Sequence, residues 1–137
     1  MRRVILIALF VISVLGLSSC EKHNVKLPSL ANTTWEANYT ALSGDNNEKI
    51  TITLSFGKDI STCRIERIND NPLSNYVFSV IKIIPECGNY GVDTYELFNM
   101  VSSDIEPDYR FNYNGKTITI TDLWTGEFSA LTLEKKK

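Results

Sequence analysis

Residues 49–56 read Lys-Ile-Thr-Ile-Thr-Leu-Ser-Phe, and this stretch decides the fold class. Four apolar side chains, from Ile50 to Phe56, alternate with small polar ones. This is the period of a β-strand with one buried face, whereas an α-helix would place its apolar positions three or four residues apart. The stretch therefore predicts a strand that packs one side against a core.

Similar runs lie on both sides of this one, separated by turn residues. Eight strands are predicted in all, at 34–42, 49–56, 60–68, 76–84, 94–102, 109–113, 116–123 and 127–133. Asn114-Gly115 gives the clearest hairpin signal, because both residues tolerate the positive φ of a type I′ turn. We expect an all-β fold, a sandwich or an antiparallel up-and-down barrel, and we favour the barrel because closure leaves no open edge.

The segment 93–103 allows two interpretations. Asp93 could cap a short helix with Tyr95, Phe98 and Val101 on one face. The neighbouring segments are all predicted strands, and on that ground we favour a strand here.

The first twenty residues have the three parts of a secretory leader. Arg2 and Arg3 are followed by an apolar run, Val4 to Leu15, which is shorter than the roughly 20 residues that cross a bilayer. Leu17-Ser18-Ser19-Cys20 resembles the lipobox of bacterial lipoproteins. The resemblance implies cleavage between Ser19 and Cys20 and lipid, including palmitate, on the Cys20 thiol and amine.

This interpretation divides the chain into residues 1–19 as signal peptide, 20–33 as a lipidated tether and 34–137 as a barrel domain. The tether is polar and contains His23, the one histidine of the sequence. Glu21 is not the aspartate that resembles an inner-membrane retention signal. We therefore expect a lipid anchor in the outer membrane, with the periplasmic face and the cell surface both left open.

The composition is that of a folded domain, with 43% hydrophobic and 22% charged residues. The formal charge of the whole chain is −2. Removal of Arg2 and Arg3 with the leader leaves 12 basic against 16 acidic residues, a formal charge of −4. A weakly acidic domain gives no reason to expect a nucleic-acid partner.

Cys63 and Cys87 are the two cysteines that remain after lipidation. Because an exported chain meets an oxidising compartment, we expect them to form a disulfide, with two buried free thiols as the alternative. If Ile68 stands opposite Tyr76 in a hairpin, Cys63 stands opposite Ile81. Residue 87 would then have to fold back toward Cys63.

The sequence offers little for catalysis. A base beside a nucleophile is missing, since the one histidine lies in the tether and no Gly-x-Ser-x-Gly occurs. Acidic residues cluster at Asp104, Glu106 and Asp108, but without the glycine and the ligand spacing of a calcium loop. We expect a solvated turn there, and we predict no enzyme activity, no cofactor and no metal site.

Three segments together resemble a known family. They are Leu-Ala-Asn-Thr-Thr-Trp at 30–35, Ile-Thr-Ile-Thr-Leu-Ser-Phe at 50–56 and Asn-Gly-Lys-Thr-Ile-Thr-Ile-Thr at 114–121. With the lipobox and tether, they are similar to small lipocalin-like lipoproteins of Gram-negative bacteria, with Trp35 at the start of the first strand. The resemblance implies a β-barrel with a cup for a small apolar ligand.

Aromatic residues are spread over the predicted strands and could line such a cup. The candidate ligand-binding residues are Trp35, Tyr76, Phe78, Tyr109, Phe111 and Tyr113. The alternative is that they fill the interior, since a barrel of eight strands has room for side chains or for one small ligand. A filled barrel would act through its outer surface, on an envelope protein or glycan. The oligomeric state is left open.

Overall fold

The computed structural model describes residues 25–43, 46–69, 74–84, 91–101 and 106–137. They form eight strands, and each is antiparallel to the next. The strands are β1 (Thr34–Ser43), β2 (Asn46–Phe56), β3 (Thr62–Ile68), β4 (Ser74–Ile83), β5 (Asp93–Asn99), β6 (Tyr109–Tyr113), β7 (Thr117–Asp122) and β8 (Leu131–Lys135). β8 pairs back with β1, so the predicted up-and-down barrel of eight strands is confirmed.

The segment that allowed a helix contains a strand and no helix among its described residues. Residues 93–99 form β5, which pairs with β4 on one side and with β6 on the other. Both ladders satisfy its backbone polar groups, which an isolated helical turn would leave to water. None of the described ranges contains a helix long and apolar enough to span a membrane.

Alternation along the strands fills the barrel. On β2 the apolar side chains from Ile50 to Phe56 are at most 4% exposed, as the pattern of that run predicts. The same alternation on the other strands produces one apolar cluster inside the barrel. Its buried members are Leu30, Trp35, Ala37, Ile52, Leu54, Phe56, Cys63, Ile65, Phe78, Tyr95, Leu97, Phe111, Tyr113, Ile118, Ile120 and Leu133.

The two ends of the barrel differ in what covers them. β1, β3, β5 and β7 begin at one end, which we call the floor, and finish at the other, which we call the far end. Residues 27–33 pack across the floor, where Leu30 is 2% exposed and belongs to the core. The Asn32 amide donates to the Gly57 carbonyl at 2.9 Å. The described chain thus joins the barrel before β1 begins.

The β6–β7 hairpin also contacts this N-terminal segment. The Asn114 amide donates to the Thr117 carbonyl at 3.3 Å, so Gly115 and Lys116 are the central residues of the turn. Only Gly115 has a positive φ, of 89°, so the hairpin is confirmed but the predicted type I′ turn on Asn114-Gly115 is wrong. A Cβ at Gly115 would lie 3.2 Å from Cδ of Pro28, so the close approach also favours glycine.

Two further predictions need correction. Cys63 stands opposite Phe78 and Ile65 opposite Tyr76, so the β3–β4 register is shifted from the one expected. The last strand was expected at 127–133, but β8 runs from Leu131 to Lys135. Residues 127–130 instead belong to a loop that folds over the far end, as described below.

The junction between β1 and β8 is short. β1 pairs with β2 at ten positions but with β8 only at Trp35 and Glu36. The Lys136 amide extends this ladder by donating to the Thr34 carbonyl at 2.8 Å, and its ammonium lies 2.6 Å from the Glu36 carboxylate. A polar surface groove of about 470 Å³ lies where the two strands part, between Asn38 and Thr132.

Candidate ligand-binding end of the barrel

The aromatic residues predicted to bind a ligand divide into two groups. Trp35, Phe111 and Tyr113 lie in the floor half and are at most 2% exposed. Phe78, which is 3% exposed, and the half-buried Tyr109 lie closer to the far end. The structure therefore does not bring all of the predicted residues together at one site.

The floor group packs side chain against side chain. The Trp35 and Tyr113 rings meet edge to face with centroids 5.6 Å apart, and Tyr95 stacks on Phe111 at 4.7 Å. The Trp35 indole N–H donates to the Thr33 hydroxyl at 2.8 Å, so its polar atom is satisfied within the protein. Burial raises the pKa of Tyr95 to about 12, and the charge of Asp93 adds to this. These contacts fill the floor half, and they favour core packing over a ligand cup there.

A second aromatic group lies towards the far end and is less enclosed. Tyr109 contacts both Phe78, at 5.4 Å between ring centroids, and Phe128, at 6.3 Å. Phe128 in turn meets the Tyr39 ring at 5.3 Å. Burial raises the pKa of Tyr109, and the carboxylate of Asp122 raises it further. Tyr76 lies at the start of β4 and is 52% exposed, which makes it the one predicted ligand residue that is open to solvent.

Arg67 brings a positive charge to this end, where the carboxylates of Asp122, Asp108 and Glu127 act on Tyr109. It stands opposite Ile52, which faces the interior, so the guanidinium is also on the inward face. It donates to the Glu127 carboxylate at 2.7 Å and to the Tyr39 hydroxyl at 3.3 Å. Burial opposes the charge of Arg67, but these two hydrogen bonds outweigh it and raise the pKa of the guanidinium. The arginine therefore stays protonated and is held by two partners.

The loop between β7 and β8 delivers Glu127 and Phe128. It is organised by Asp122, which is 5% exposed and accepts hydrogen bonds from the loop backbone. The donors are the amides of Trp124 at 3.0 Å, Thr125 at 2.9 Å and Glu127 at 3.3 Å, together with the Thr125 hydroxyl. Gly126, with φ of 69°, reverses the chain just before Glu127. A buried carboxylate thus fixes a loop that reaches over the far end.

Exposed apolar side chains also concentrate at the far end. Among the described residues, large exposed hydrophobics there are Leu42 (85%), Ile68 (42%), Tyr76 (52%), Met100 (61%), Val101 (91%), Leu123 (42%) and Trp124 (74%). The others are Val25 and Ile84 near the floor and Val77 and Ile81 on the wall. A concentration of exposed apolar side chains commonly marks a binding surface. We call the seven residues at the far end the apolar rim.

Sequence reasoning missed the polar part of this site. Arg67 has the same parity as Cys63 and Ile65, so alternation along β3 could have placed it inside the barrel. Glu127 and Phe128 were assigned to a strand, and nothing in their local pattern indicates a loop that folds back. Their position depends on the buried Asp122, which is a tertiary feature.

Cys63 is a free thiol on the inward face of β3, 1% exposed. Burial raises its pKa to about 12, so it is protonated and unreactive at neutral pH. Cys87, its predicted partner, lies outside the described residues. No disulfide is seen at Cys63, which agrees with the alternative of a buried free thiol, and the Cys63–Cys87 bridge stays a prediction that peptide mapping can test.

Several other predictions also fall outside the described residues. They concern the leader, the cleavage site at Ser19 and Cys20, His23 and Asp104. Among the residues that are described, no group of three or more histidine, cysteine, aspartate or glutamate side chains is placed to hold a metal ion.

Comparison with known proteins adds no relative. No protein-family model matches the chain, no curated protein is significantly similar to it, and no solved structure matches its fold significantly.

Proposed function

We propose that this chain is a membrane-anchored lipoprotein of lipocalin-like type, and that its barrel binds a small apolar ligand at the far end. The observation that carries the proposal is the apolar rim. Seven large apolar side chains are exposed around this end, whereas the floor is covered by residues 27–33.

A ligand at the far end would have aromatic and apolar contacts available. Tyr76 and Trp124 are more than half exposed at this end, and Tyr109 and Phe128 are partly buried there against the core. Aromatic side chains of this kind provide large contact areas for an apolar molecule. The floor half offers less, because Trp35, Phe111 and Tyr113 are already in contact with neighbouring side chains.

The anchor is supported by the sequence of the first twenty residues. Lipid on Cys20 would bind the membrane stably, since each buried methylene contributes about 0.8 kcal/mol and a lipoprotein carries two or three chains. Leu27 packs beside the floor, near Gly115. The seven residues 20–26 span at most about 25 Å, so the floor would stay near the bilayer and the rim would face the envelope space.

The packed interior favours a second candidate function. Phe111, Leu97 and Ile120 are 0% exposed, as expected of a filled barrel. A filled barrel could act through its surface, and the apolar rim would then contact an envelope protein or glycan. The two functions differ in whether a small molecule binds at the rim.

A neutral fluorescent probe tests the first function. N-phenyl-1-naphthylamine has apolar rings and no charge, and energy transfer from tryptophan reports only probe bound to the protein. We expect saturable binding to the full-length protein, with weaker binding for Tyr76→Ser and Val101→Ser. The control is Ile81→Ser, which removes an exposed apolar side chain from the outer wall.

Absence of saturable transfer would exclude the apolar-ligand function and leave the interaction module. If the probe does bind, mass spectrometry of the protein purified from its native membrane identifies the natural ligand. A small molecule released on denaturation, and reduced in the Tyr76→Ser variant, would identify it.

A further inference from the structure

We propose that the far end contains a subsite for an aromatic anion, and that the chain's own Glu127 and Phe128 occupy this subsite in the structure. The inference rests on the proposed function and specifies its ligand class. A molecule that carries an anionic group beside an aromatic ring would displace the two side chains and take over their contacts.

The anionic half of the subsite is formed by Arg67 and Tyr39. The guanidinium Nη2 lies 2.7 Å from the Glu127 Oε1, and Nε lies 3.3 Å from the Tyr39 hydroxyl oxygen. Arg67 is on the inward face of the wall, opposite Ile52 on β2 and Ser74 on β4, and its side chain is 32% exposed. A guanidinium presents several N–H donors in a fixed plane, so it can form charge-assisted hydrogen bonds with a carboxylate or a sulfonate.

The aromatic half is formed by Tyr39 and Tyr109. Their rings flank Phe128, with centroid distances of 5.3 Å and 6.3 Å. Glu127 and Phe128 are consecutive residues, so one short stretch of chain supplies both an anion and a ring. The two halves are therefore close enough for one small molecule to contact both.

The resident pair belongs to a loop and not to the barrel wall. Arg67 lies on β3, which pairs with both β2 and β4, and Tyr39 lies on β1, which pairs with β2 over its whole length. Glu127, in contrast, follows Gly126 in the β7–β8 loop. A partly exposed ion pair of this kind contributes only about 0–1 kcal/mol. Displacing it costs little, and a ligand that binds Arg67 restores the lost contact.

Another ion pair of the barrel provides a matched comparison. Arg110 donates to Glu96 on the outer wall, with an Nη2 to Oε1 distance of 2.6 Å. Both residues lie on the outward face of paired strands, with side chains that are 50% and 16% exposed. Glu96→Ala therefore removes an equivalent carboxylate at a site where no aromatic subsite is proposed.

Two probes with the same ring system separate charge from apolar contact. 1-Anilinonaphthalene-8-sulfonate is anionic, and N-phenyl-1-naphthylamine is its neutral counterpart. We expect the full-length protein to bind the sulfonate about tenfold more tightly, which is the factor that one charge-assisted hydrogen bond can supply. Energy transfer from tryptophan is the readout for both probes.

Variants of the resident pair and of Arg67 then test the assignment. Glu127→Ala should tighten sulfonate binding severalfold and leave the neutral probe unchanged, because it frees the guanidinium. Phe128→Ala should tighten binding of both probes, because it empties the aromatic half. Arg67→Met should abolish the preference for the sulfonate, and Glu96→Ala should have no effect. Circular dichroism of each variant checks that the barrel is folded.

The outcomes distinguish this inference from the proposed function. If the neutral probe binds but the sulfonate binds no more tightly, or if Arg67→Met leaves the preference intact, the anion subsite is excluded and the apolar function stands. If Glu127→Ala and Glu96→Ala affect the sulfonate equally, Glu127 is not a resident occupant. If neither probe binds to the folded protein, both proposals fail.

Discussion

Trp35 connects the floor of the barrel to the segment that precedes β1. Its ring contacts Tyr113, and its indole N–H donates to Thr33, whose hydroxyl donates to the Leu30 carbonyl at 2.5 Å. A single side chain thus combines core volume with a buried hydrogen bond.

We predict that Trp35→Phe lowers the free energy of unfolding by about 2–3 kcal/mol, because volume and a buried hydrogen bond are both lost. Trp124→Phe is the matched control, since Trp124 is 74% exposed, and it should change stability by less than about 0.5 kcal/mol. Urea unfolding followed by circular dichroism measures both. Equal effects would contradict the role of Trp35 in closing the floor.

Cys63 should make stability depend on pH in the alkaline range. Burial raises its pKa from 9.0 to about 12, so between these values the unfolded chain releases a proton that the folded chain keeps. The contribution of the thiol to stability is therefore complete below about pH 9 and is lost as the pH rises toward 12.

We predict that Cys63→Ala reduces the fall in the free energy of unfolding above pH 9, relative to the unsubstituted protein. Urea unfolding between pH 8 and pH 10.5 measures the free energy of unfolding of both proteins. Because both keep the buried tyrosines, the difference between them reports the thiol alone. An unchanged slope would indicate that Cys63 carries no free thiol. Non-reducing peptide mapping would then be expected to find it linked to Cys87.

At the residue scale, the sequence predicts burial better than register. The inward faces of β2 and β7 follow directly from alternating apolar residues. The pairing of Cys63 with Phe78 could not be predicted, because sliding β3 along β4 leaves apolar residues opposite one another and the local pattern gives no preference.

Among the larger elements, the β7–β8 loop depends most on a single side chain. Asp122 accepts hydrogen bonds from the amides of Trp124, Thr125 and Glu127 and is almost fully buried. Removal of its carboxylate leaves these donors without their acceptor.

We predict that Asp122→Ala destabilises the protein by about 1–3 kcal/mol and loosens the loop, because buried donors lose their partner. Asp59→Ala is the control, since Asp59 accepts one exposed hydrogen bond from the Ser61 amide at 2.9 Å. Thermal unfolding measures the stability of the protein, and hydrogen exchange at residues 123–128 measures the protection of the loop amides. Protection that is unchanged in Asp122→Ala would show that other contacts hold the loop.

The boundaries of the last strand show why some elements could not be predicted. Residues 127–133 have the composition of a strand. Glu127 and Phe128 nevertheless lie at the far end, where Glu127 pairs with Arg67 and Phe128 packs against Tyr39. β8 starts later and continues through Lys135, with the Lys136 amide bonded to Thr34. A terminal lysine run has the composition of a frayed end, and only the position of β1 shows that the backbone of Lys135 and Lys136 is paired.

For the whole molecule, the count of eight strands and the short connections predicted a sandwich or a barrel, and the barrel, favoured because closure leaves no open edge, is confirmed. The candidate site was predicted less well. Tyr76 and Tyr109 do lie at the far end, but the apolar rim comes from three strand ends and two connections, which no local pattern brings together.

The anchor is a property of the whole molecule and is tested by Cys20→Ala. We predict that this variant loses lipid labelling and leaves the membrane fraction or accumulates as the uncleaved precursor, because the acylated thiol is missing. Cys63→Ala, which removes a different cysteine, should fractionate as the unsubstituted protein does. Unchanged fatty-acid labelling of Cys20→Ala would exclude the lipoprotein assignment.

The short ladder between β1 and β8 has a mechanical consequence. Beyond Glu36, the β1 amides that point toward β8 belong to Asn38, Thr40 and Leu42, and no described ladder reaches them. Heating or mechanical tension should therefore break the β1–β8 pairing first and open the barrel along this side. The other seven strand pairs would then stay intact. A force applied at the N-terminus would reach the β1–β8 pair first, because β1 is the first strand of the chain and forms one side of that pair.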